Sequence, residues 1–322
     1  MTSDTVTILT VNYKTADLVC QLIESISSTR SATTTMVVVD NDSGDQSYEI
    51  IRDYVSEKTY DWVHVIDGER NGGYAYGNNV GIEYIKSTLG TPNYLWFLNP
   101  DTQLKEYACS ELISFLKENN VSIAGSRLED EDGQAQISSF NFPSPFTEFS
   151  GGVRLGILDK LFRHWRIDRP LASEPECCDW LAGASVLMDW KVVDTIGNMD
   201  EDYFLYFEEV DYLLTAKRAG FDCWYVPSSR VYHAVGAATG ISNLRNKAPR
   251  RPTYWFDSRR RFFLKNYGAI TLLLADALFL FTYTTWFIRK SLVKSDELIK
   301  EPPHYLGDFF RNSIFVRGTT LN

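Results

Sequence analysis

The 322-residue chain is short of cysteine, histidine and net positive charge, and each shortage removes a class of protein. Its five cysteines (Cys20, Cys109, Cys177, Cys178 and Cys223) form no CxxC pair and are odd in number. That excludes a disulfide framework and a zinc ribbon, and the vicinal Cys177–Cys178 pair reads as two packed thiols. A formal net charge of -10 argues against a nucleic-acid partner. A basic-then-apolar leader is missing, since "VTILTVNY" is short and ends in polar residues, which predicts a cytoplasmic protein. Neither GxxxxGK[ST] nor a strand followed by GxGxxG occurs, and no internal repeat or low-complexity run is visible. With 44% apolar and 23% charged residues, the chain has material for one large domain or a domain with an appendage.

Short β-branched runs alternate with helical periods. "TVTILTVNY" and "TTTMVVVDN" read as buried parallel strands, with a helix between them carrying Leu18, Leu22 and Ile26 on one face. Thr15 is placed to cap that helix. The rhythm continues through "WVHVI", "YLWFLN" and "VSIAG", which predicts an α/β fold with a mostly parallel sheet flanked by helices. Ligands of such sheets bind beyond the carboxyl ends of the strands. Three ends here are chemically loaded: "VNYK", "VDNDSGD" and "LNPDT". After residue 133 the rhythm breaks, and the proline-interrupted residues 141–176 read as a long loop or flap. A strand in "CDWLAGASVLMDW", an acidic segment, the strand "CWYVP" and a C-terminal helical tail complete the chain.

Taken singly, each motif has two readings. Asp101 of "LNPDT" can hold a divalent metal on phosphate oxygens or close an Asx turn. In "ERNGGYAYGNNVGI", Gly72, Gly73 and Gly77 permit close approach of a ligand, and Asn78 or Asn79 can cap the next helix; an ordinary tight turn is the alternative. Asp40 can accept from a ribose or base, or shape a turn. His233 is either structural or a nitrogen ligand of the kind Mn²⁺ accepts. In "YFLYFEEVDYLLTAKRAGF", Glu208, Glu209 and Asp211 fall in the first turn of a helix. The macrodipole favours acids there, and Lys217 and Arg218 at the far end make ordinary helix design the competing account.

In order along the chain, "VNYKTADLVCQLIESI", "VVVDNDSGD", "ERNGGYAYGNNVGI", "WFLNPDTQL", "DWLAGASVLMDW", the acidic helix and "VYHAVGAATG" resemble the family 2 inverting glycosyltransferases of GT-A (Rossmann-like) fold. Within these the chain is most like bacterial rhamnosyltransferases of surface polysaccharide. The resemblance spans roughly residues 5–267. It implies a catalytic domain over 1–235 (nucleotide half 1–125, acceptor half 126–235 with the 141–176 flap) and a tail over 236–322. It implies transfer of a sugar, L-rhamnose from dTDP-rhamnose as first choice, to a hydroxyl of a glycan or lipid-linked glycan. Galactofuranose or N-acetylglucosamine from a UDP-sugar, or non-catalytic sugar-nucleotide binding, are the alternatives. The resemblance assigns Asn12, Asp40, Asn71, Gly73, Asn79 and Asp101 to the donor. It assigns Asp179, Trp180, Gly183 and Asp211 to the acceptor and sugar pocket. Asp101 and His233 would hold Mg²⁺ or Mn²⁺, although "NPD" stands where many relatives have two aspartates. The base would be Glu209, with Glu208 next in line. A nucleotidyltransferase is disfavoured, because "VNYKTADL" offers only Lys14 and no glycine against a triphosphate.

The run "AITLLLADALFLFTYTTWFI" (269–288) is about long enough to cross a bilayer core, yet Asp276 near its centre costs about 2.5–3.5 kcal/mol on the insertion scale. It reads as a helix lying on a membrane or packing on another subunit, with spanning the lesser alternative. That places the protein at the inner face of the plasma membrane or in a homo-oligomer. Arg245, Lys247, Arg250, Arg251 and Arg259 to Arg261 can meet the phosphates of a lipid diphosphate, or form a solvated helix face.

Overall fold

Val6–Asn12 (β1) is buried along its whole length, as a strand covered on both faces must be. The computed structural model describes residues 4–153, 161–234, 248–293 and 301–321. They divide into two compact units: 1–140, 170–204 and 208–242 form the first, and 141–169, 205–207 and 243–322 the second.

In the first unit β1 lies between Thr34–Asp40 (β2) and Tyr94–Leu98 (β4), parallel to both, with Val63–Asp67 (β3) parallel outside β2. Thr102–Leu104 (β5) and Ile123–Glu129 (β6) follow, and Ser185–Asp189 (β11) and Cys223–His233 (β12) complete the main path. Its order is β3-β2-β1-β4-β11-β6-β12-β5 in a sheet of ten strands among the described residues. The other two, Ala135–Gln136 (β7) and Glu176–Cys178 (β9), pair with β6 and β12. Ser139–Phe140 (β8) and Trp180–Leu181 (β10) form a separate antiparallel pair. The parallel reading holds for β1 to β4 and for β6 with β12, whereas β11 runs against both β4 and β6. Three serines on neighbouring strands tie this reversal in place: Ser126 Oγ lies 2.8 Å from both Ser185 Oγ and Ser229 Oγ, all buried.

Helices Ala16–Thr29 (α1), Ser47–Glu57 (α2), Gly73–Tyr84 (α3) and Ala108–Asn119 (α4) follow the predicted alternation. Two local expectations are corrected. Thr15 makes no side-chain cap; its hydroxyl donates to Asn12 Oδ1 at 2.8 Å. Asn78 and Asn79 do not start α3, which begins five residues earlier at Gly73 and buries both asparagines in its interior. The five cysteines are free thiols, half-buried or buried.

In the second unit, part of the expected flap is helical: Pro145–Val153 (α5) packs along the long helix Thr253–Val293 (α8, following α6 at Trp190–Ile196 and α7 at Glu208–Arg218). Gly152 makes that contact close, since a Cβ there would lie 2.0 Å from Thr282 Oγ1. The long helix is two helices joined at Gly268, whose φ of 81° breaks the helical path. Phe256, Phe279, Tyr283, Trp286 and Phe309 form the core of this unit, the last from Tyr305–Asn312 (α9).

Asp276 is fully buried in this unit and is not an isolated charge. Its Oδ1 accepts from Arg259 Nη1 at 2.7 Å, Arg259 Nε donates to Glu148 at 3.0 Å, and Asp276 Oδ2 accepts from Ile314 N at the start of Ile314–Arg317 (α10). The arginines expected at phosphates are largely spoken for. Arg250 forms a two-bond pair with Asp308, Arg251 stacks on Trp255 and Tyr305, and Arg260 donates to the carbonyls of Arg317, Gly318 and Thr320. Arg245 and Lys247 lie outside the described residues. Removing one member of a buried pair costs about 3–5 kcal/mol, because the other charge is stranded. Asp276→Ala is expected to lower stability by that order, read as a reduced midpoint in denaturant unfolding.

Candidate active site

The carboxyl ends of β1 and β2 face each other in register, Asn12 against Asp40. Asn12 Nδ2 donates to Asp40 Oδ1 at 2.6 Å, and Ser43 donates to Asp40 from its hydroxyl (2.6 Å) and its backbone (3.1 Å). Asp40 is therefore buried and multiply bonded, and it holds the "VDNDSGD" turn in shape. The next residue, Asn41, carries the link onward: its Nδ2 donates to Asn71 Oδ1 and to the Gly73 carbonyl. Its Oδ1 is buried without a hydrogen-bond partner. Asn41 and Ser43 escaped sequence reasoning, although both stand inside the quoted motif. Asn79 is committed elsewhere, bonded to Met199 N, Met199 O and Glu201 Oε1.

Gly73 fixes the geometry of the glycine loop. Its φ is +86°, and a Cβ would lie 1.9 Å from the Phe204 carbonyl oxygen, which accepts from Tyr74 N at 3.1 Å. Tyr74 then reaches across to Gly183, donating to its carbonyl at 3.3 Å. Gly183 in turn abuts Glu209, because a Cβ on it would sit 3.7 Å from Glu209 Cβ and 3.6 Å from the Tyr74 hydroxyl. Burial pushes the Tyr74 phenol up, and the carboxylates of Glu209, Glu208 and Asp101 push it further. Tyr74 thus stands within the field of all three acids, and sequence reasoning missed it because it looked like one more aromatic in a glycine turn.

Glu208 and Glu209 open α7, and each has one Oε2 buried without a hydrogen-bond partner. Burial holds the Glu208 carboxyl well above the usual carboxylate range, reinforced by the charge of Glu209. Burial raises Glu209 as well, against the pull of the backbone N–H groups of Glu209 and Val210 at the helix start. A cavity of about 20 Å³ lined by Tyr74, Phe97, Met199, Glu209 and Tyr212 lies against Glu209 and contributes to that dry setting. Asp211, by contrast, accepts from the buried Tyr203 hydroxyl at 3.2 Å and ties the approach segment to the helix.

Asp101 follows β4 and is buried, and its backbone carbonyl accepts from Ala234 N. His233 Nε2 lies 3.5 Å from Asp101 Oδ1. On the other side of the ring, Nδ1 faces Gln136 Oε1 at 3.2 Å, while Gln136 Nε2 donates to the His233 carbonyl at 3.0 Å. With an amide oxygen beside it, Nδ1 is placed to donate, and Nε2 is the ring nitrogen that faces Asp101. A carboxylate oxygen and an imidazole nitrogen side by side are a donor pair that fits a divalent cation such as Mn²⁺. Among the described residues no group of three or more His, Cys, Asp and Glu gathers. Trp180 stacks on Phe140 with centroids 4.2 Å apart, and Asp179 N donates to the Phe140 carbonyl. Both flank the chain that leads to Gly183.

A parallel half-sheet with polar turns at its carboxyl ends, a reversed strand and acids at a helix start are the features of a GT-A fold. The architecture is that of a mannosyltransferase from Pyrobaculum calidifontis, solved with GDP-Man and Mn²⁺, with a TM-score of 0.58 at 11% identity over 99% of this chain and 88% of that one. The chain carries a glycosyl transferase family 2 domain, the family's model matching residues 5–161. It is similar to the low-salt glycan biosynthesis hexosyltransferase Agl10 of Haloferax volcanii, 29% identical over 67% of this chain and 62% of that protein. It is also similar to the N-acetylglucosaminyl-diphospho-decaprenol L-rhamnosyltransferase of Mycobacterium tuberculosis, 24% identical over 74% of this chain and 78% of that one. The match to the Haloferax protein spans about three fifths of its length.

Gly73→Ala combines a disfavoured φ with a collision against backbone, so Phe204 must shift. The expected outcome is a loss of stability of at least about 1–3 kcal/mol and weakened nucleotide binding, read by thermal unfolding and by titration with nucleotide.

Proposed function

We propose that the protein is an inverting transferase that moves a sugar from a nucleotide donor to a hydroxyl of a glycan or lipid-linked glycan in polysaccharide synthesis. L-rhamnose from dTDP-rhamnose is the donor this reading favours; its support is the L-rhamnosyltransferase activity of the M. tuberculosis relative, and that protein's diphospho-decaprenol acceptor supports a lipid-linked one. The observation that carries the reading is Glu209: a half-buried residue whose Oε2 is buried and unbonded, at a helix N-terminus, against Gly183.

In the reaction, Glu209 accepts the proton of the acceptor hydroxyl as its oxygen attacks the anomeric carbon, and the bond to the nucleoside diphosphate breaks on the opposite face. A carboxylate in a dry site is a stronger base than one in water, and it must be ionised to act. Glu208 shares the buried charge and raises the proton affinity of the pair. Tyr74 holds the Gly183 carbonyl, so the wall beside Glu209 keeps its position. The Asp40 turn and the Asn41–Asn71–Gly73 chain shape the donor side. Asp101 and His233 would hold the divalent ion, with Gln136 fixing the imidazole. When bound, such an ion offsets charge on the diphosphate. Asp179 and Trp180 would bound the acceptor side.

Glu209→Gln is expected to lower transfer by about 10²–10⁴-fold while leaving nucleotide binding unchanged, measured by product formation and by the thermal shift that each nucleotide sugar gives with Mn²⁺ or Mg²⁺. Near-normal turnover would move the base to Glu208. A chain that binds nucleotide sugar but transfers to no acceptor would be a binding protein.

The raised acids also predict pH behaviour. Activity needs ionised Glu209, so kcat/KM should fall on acidification at a pH above the ordinary carboxylate range. Between the ordinary and the raised value of Glu208, the folded state binds more protons than the unfolded one. Stability therefore declines as pH rises through that window. Glu208→Gln should raise the unfolding midpoint at neutral pH and leave it unchanged below the ordinary carboxylate range.

A further inference from the structure

Residues 269–292 are apolar on both faces of one helix, and among the described residues only one face is covered. Leu272, Ala275, Asp276, Phe279, Thr282, Tyr283 and Trp286 are buried inside the second unit. The opposite face exposes Ile270 (77%), Leu274 (51%), Phe281 (67%), Ile288 (54%) and Leu292 (81%). These recur at helical spacing and are flanked by exposed Leu273 and Phe287. From residue 270 to 292 the stripe is about 33 Å long, at roughly 1.5 Å per residue. A helix that is apolar all round needs a second apolar neighbour, and a continuous exposed stripe of this size marks an interaction surface.

We propose that this stripe lies in the plane of an anionic lipid bilayer and docks the protein there as a monotopic enzyme. Three observations favour lipid over a protein partner or a second copy. First, its hydroxyls are turned inward: Thr285 Oγ1 donates to the Thr282 carbonyl and Ser291 Oγ to the Phe287 carbonyl. A protein interface carries about one hydrogen bond per 100–200 Å², and this face has almost nothing to offer one. Second, a chain of net charge -10 exposes no acid on this helix, since Asp276 is buried. Its other charges in 269–292 are cationic, Arg289 and Lys290, with Lys265 exposed just before the Gly268 break. That arrangement suits an anionic surface. Third, the helix is long and apolar enough to span, but it is held from its inner face by the Arg259–Asp276 pair. Spanning would strip that pair from its unit, so the helix lies flat.

The test is flotation of the full chain with phosphatidylcholine vesicles, with and without phosphatidylglycerol. The expected result is binding that rises with phosphatidylglycerol and is released by alkaline carbonate. Leu274→Glu/Phe281→Glu should weaken it by about a hundredfold, with an unchanged unfolding midpoint because both positions are exposed. Arg289→Glu/Lys290→Glu, which leaves the stripe intact, should abolish the preference for anionic vesicles. Failure to float with either vesicle would overturn the proposal, as would resistance to carbonate, which means spanning. A lipid-independent dimer dissolved by Leu274→Glu/Phe281→Glu would overturn it in favour of a second copy. Each outcome is independent of whether the chain transfers sugar.

Discussion

The direction of β11 is the constraint on which the candidate site depends. Because it runs against β4, its first residues stand beside the last residues of that strand: Ser185 pairs with Leu98, and Asn99 N donates to the Ala184 carbonyl. Gly183 therefore arrives at the same edge as Asp101. Had β11 been parallel, its start would lie at the opposite end of the sheet and the Gly183 wall could not meet the strand-end turns. The reversal also places a strand between β4 and β6 without a helical crossover, which antiparallel pairing permits. The price in backbone polarity is small, because the buried serine chain satisfies side-chain groups along the seam.

A second close approach brings the acidic helix start to that edge. At Gly73 only a hydrogen fits between α3 and the Phe204 carbonyl, so the glycine loop and the segment before α7 are locked together. Tyr74 follows by one residue and spans to Gly183. Loop, wall and acidic helix start are thereby fixed by main-chain contacts, which vary less with side-chain motion than a set of surface ion pairs would. Asp211 and Tyr203 add a further tie within the same segment.

Much of this was legible in the sequence, and for identifiable reasons. β1 and β2 are β-branched runs and β4 is an unbroken apolar one, and the Glu208 start of α7 is marked by acids ahead of Lys217 and Arg218. The start of α3 was not legible, because Asn78 and Asn79 have capping chemistry and Gly73 has poor helix propensity. What decides the boundary is the tertiary contact at Phe204, which no local pattern encodes. The helix Pro145–Val153 was hidden similarly: its two glycines and leading prolines read as loop, whereas Gly152 is there to admit Thr282. Tyr74, Asn41 and Gln136 were missed because their roles consist of reaching another segment. The apolar length of 269–288 was plain; the face on which Asp276 sits, and its pairing with a residue 17 positions earlier, were not.

Buried acids occur in both units, and their surroundings separate two uses of the same chemistry. Glu148 and Asp276 are bonded to Arg259, and Asp276 also receives a backbone N–H. Such charges are paired with a cation, and they specify how helices meet. Glu208 and Glu209 have no cation assigned to them among the described contacts, and each keeps an unbonded buried oxygen. Folding gains nothing from two like charges placed this way, and burial raises the proton affinity of both. A site of that kind persists where the unmet bonding capacity is used on something that arrives later. In the proposed function, the group that arrives at these two glutamates is an acceptor hydroxyl, whose proton Glu209 would take. The count of acids in a sequence cannot distinguish the two cases, but the partners of each oxygen can.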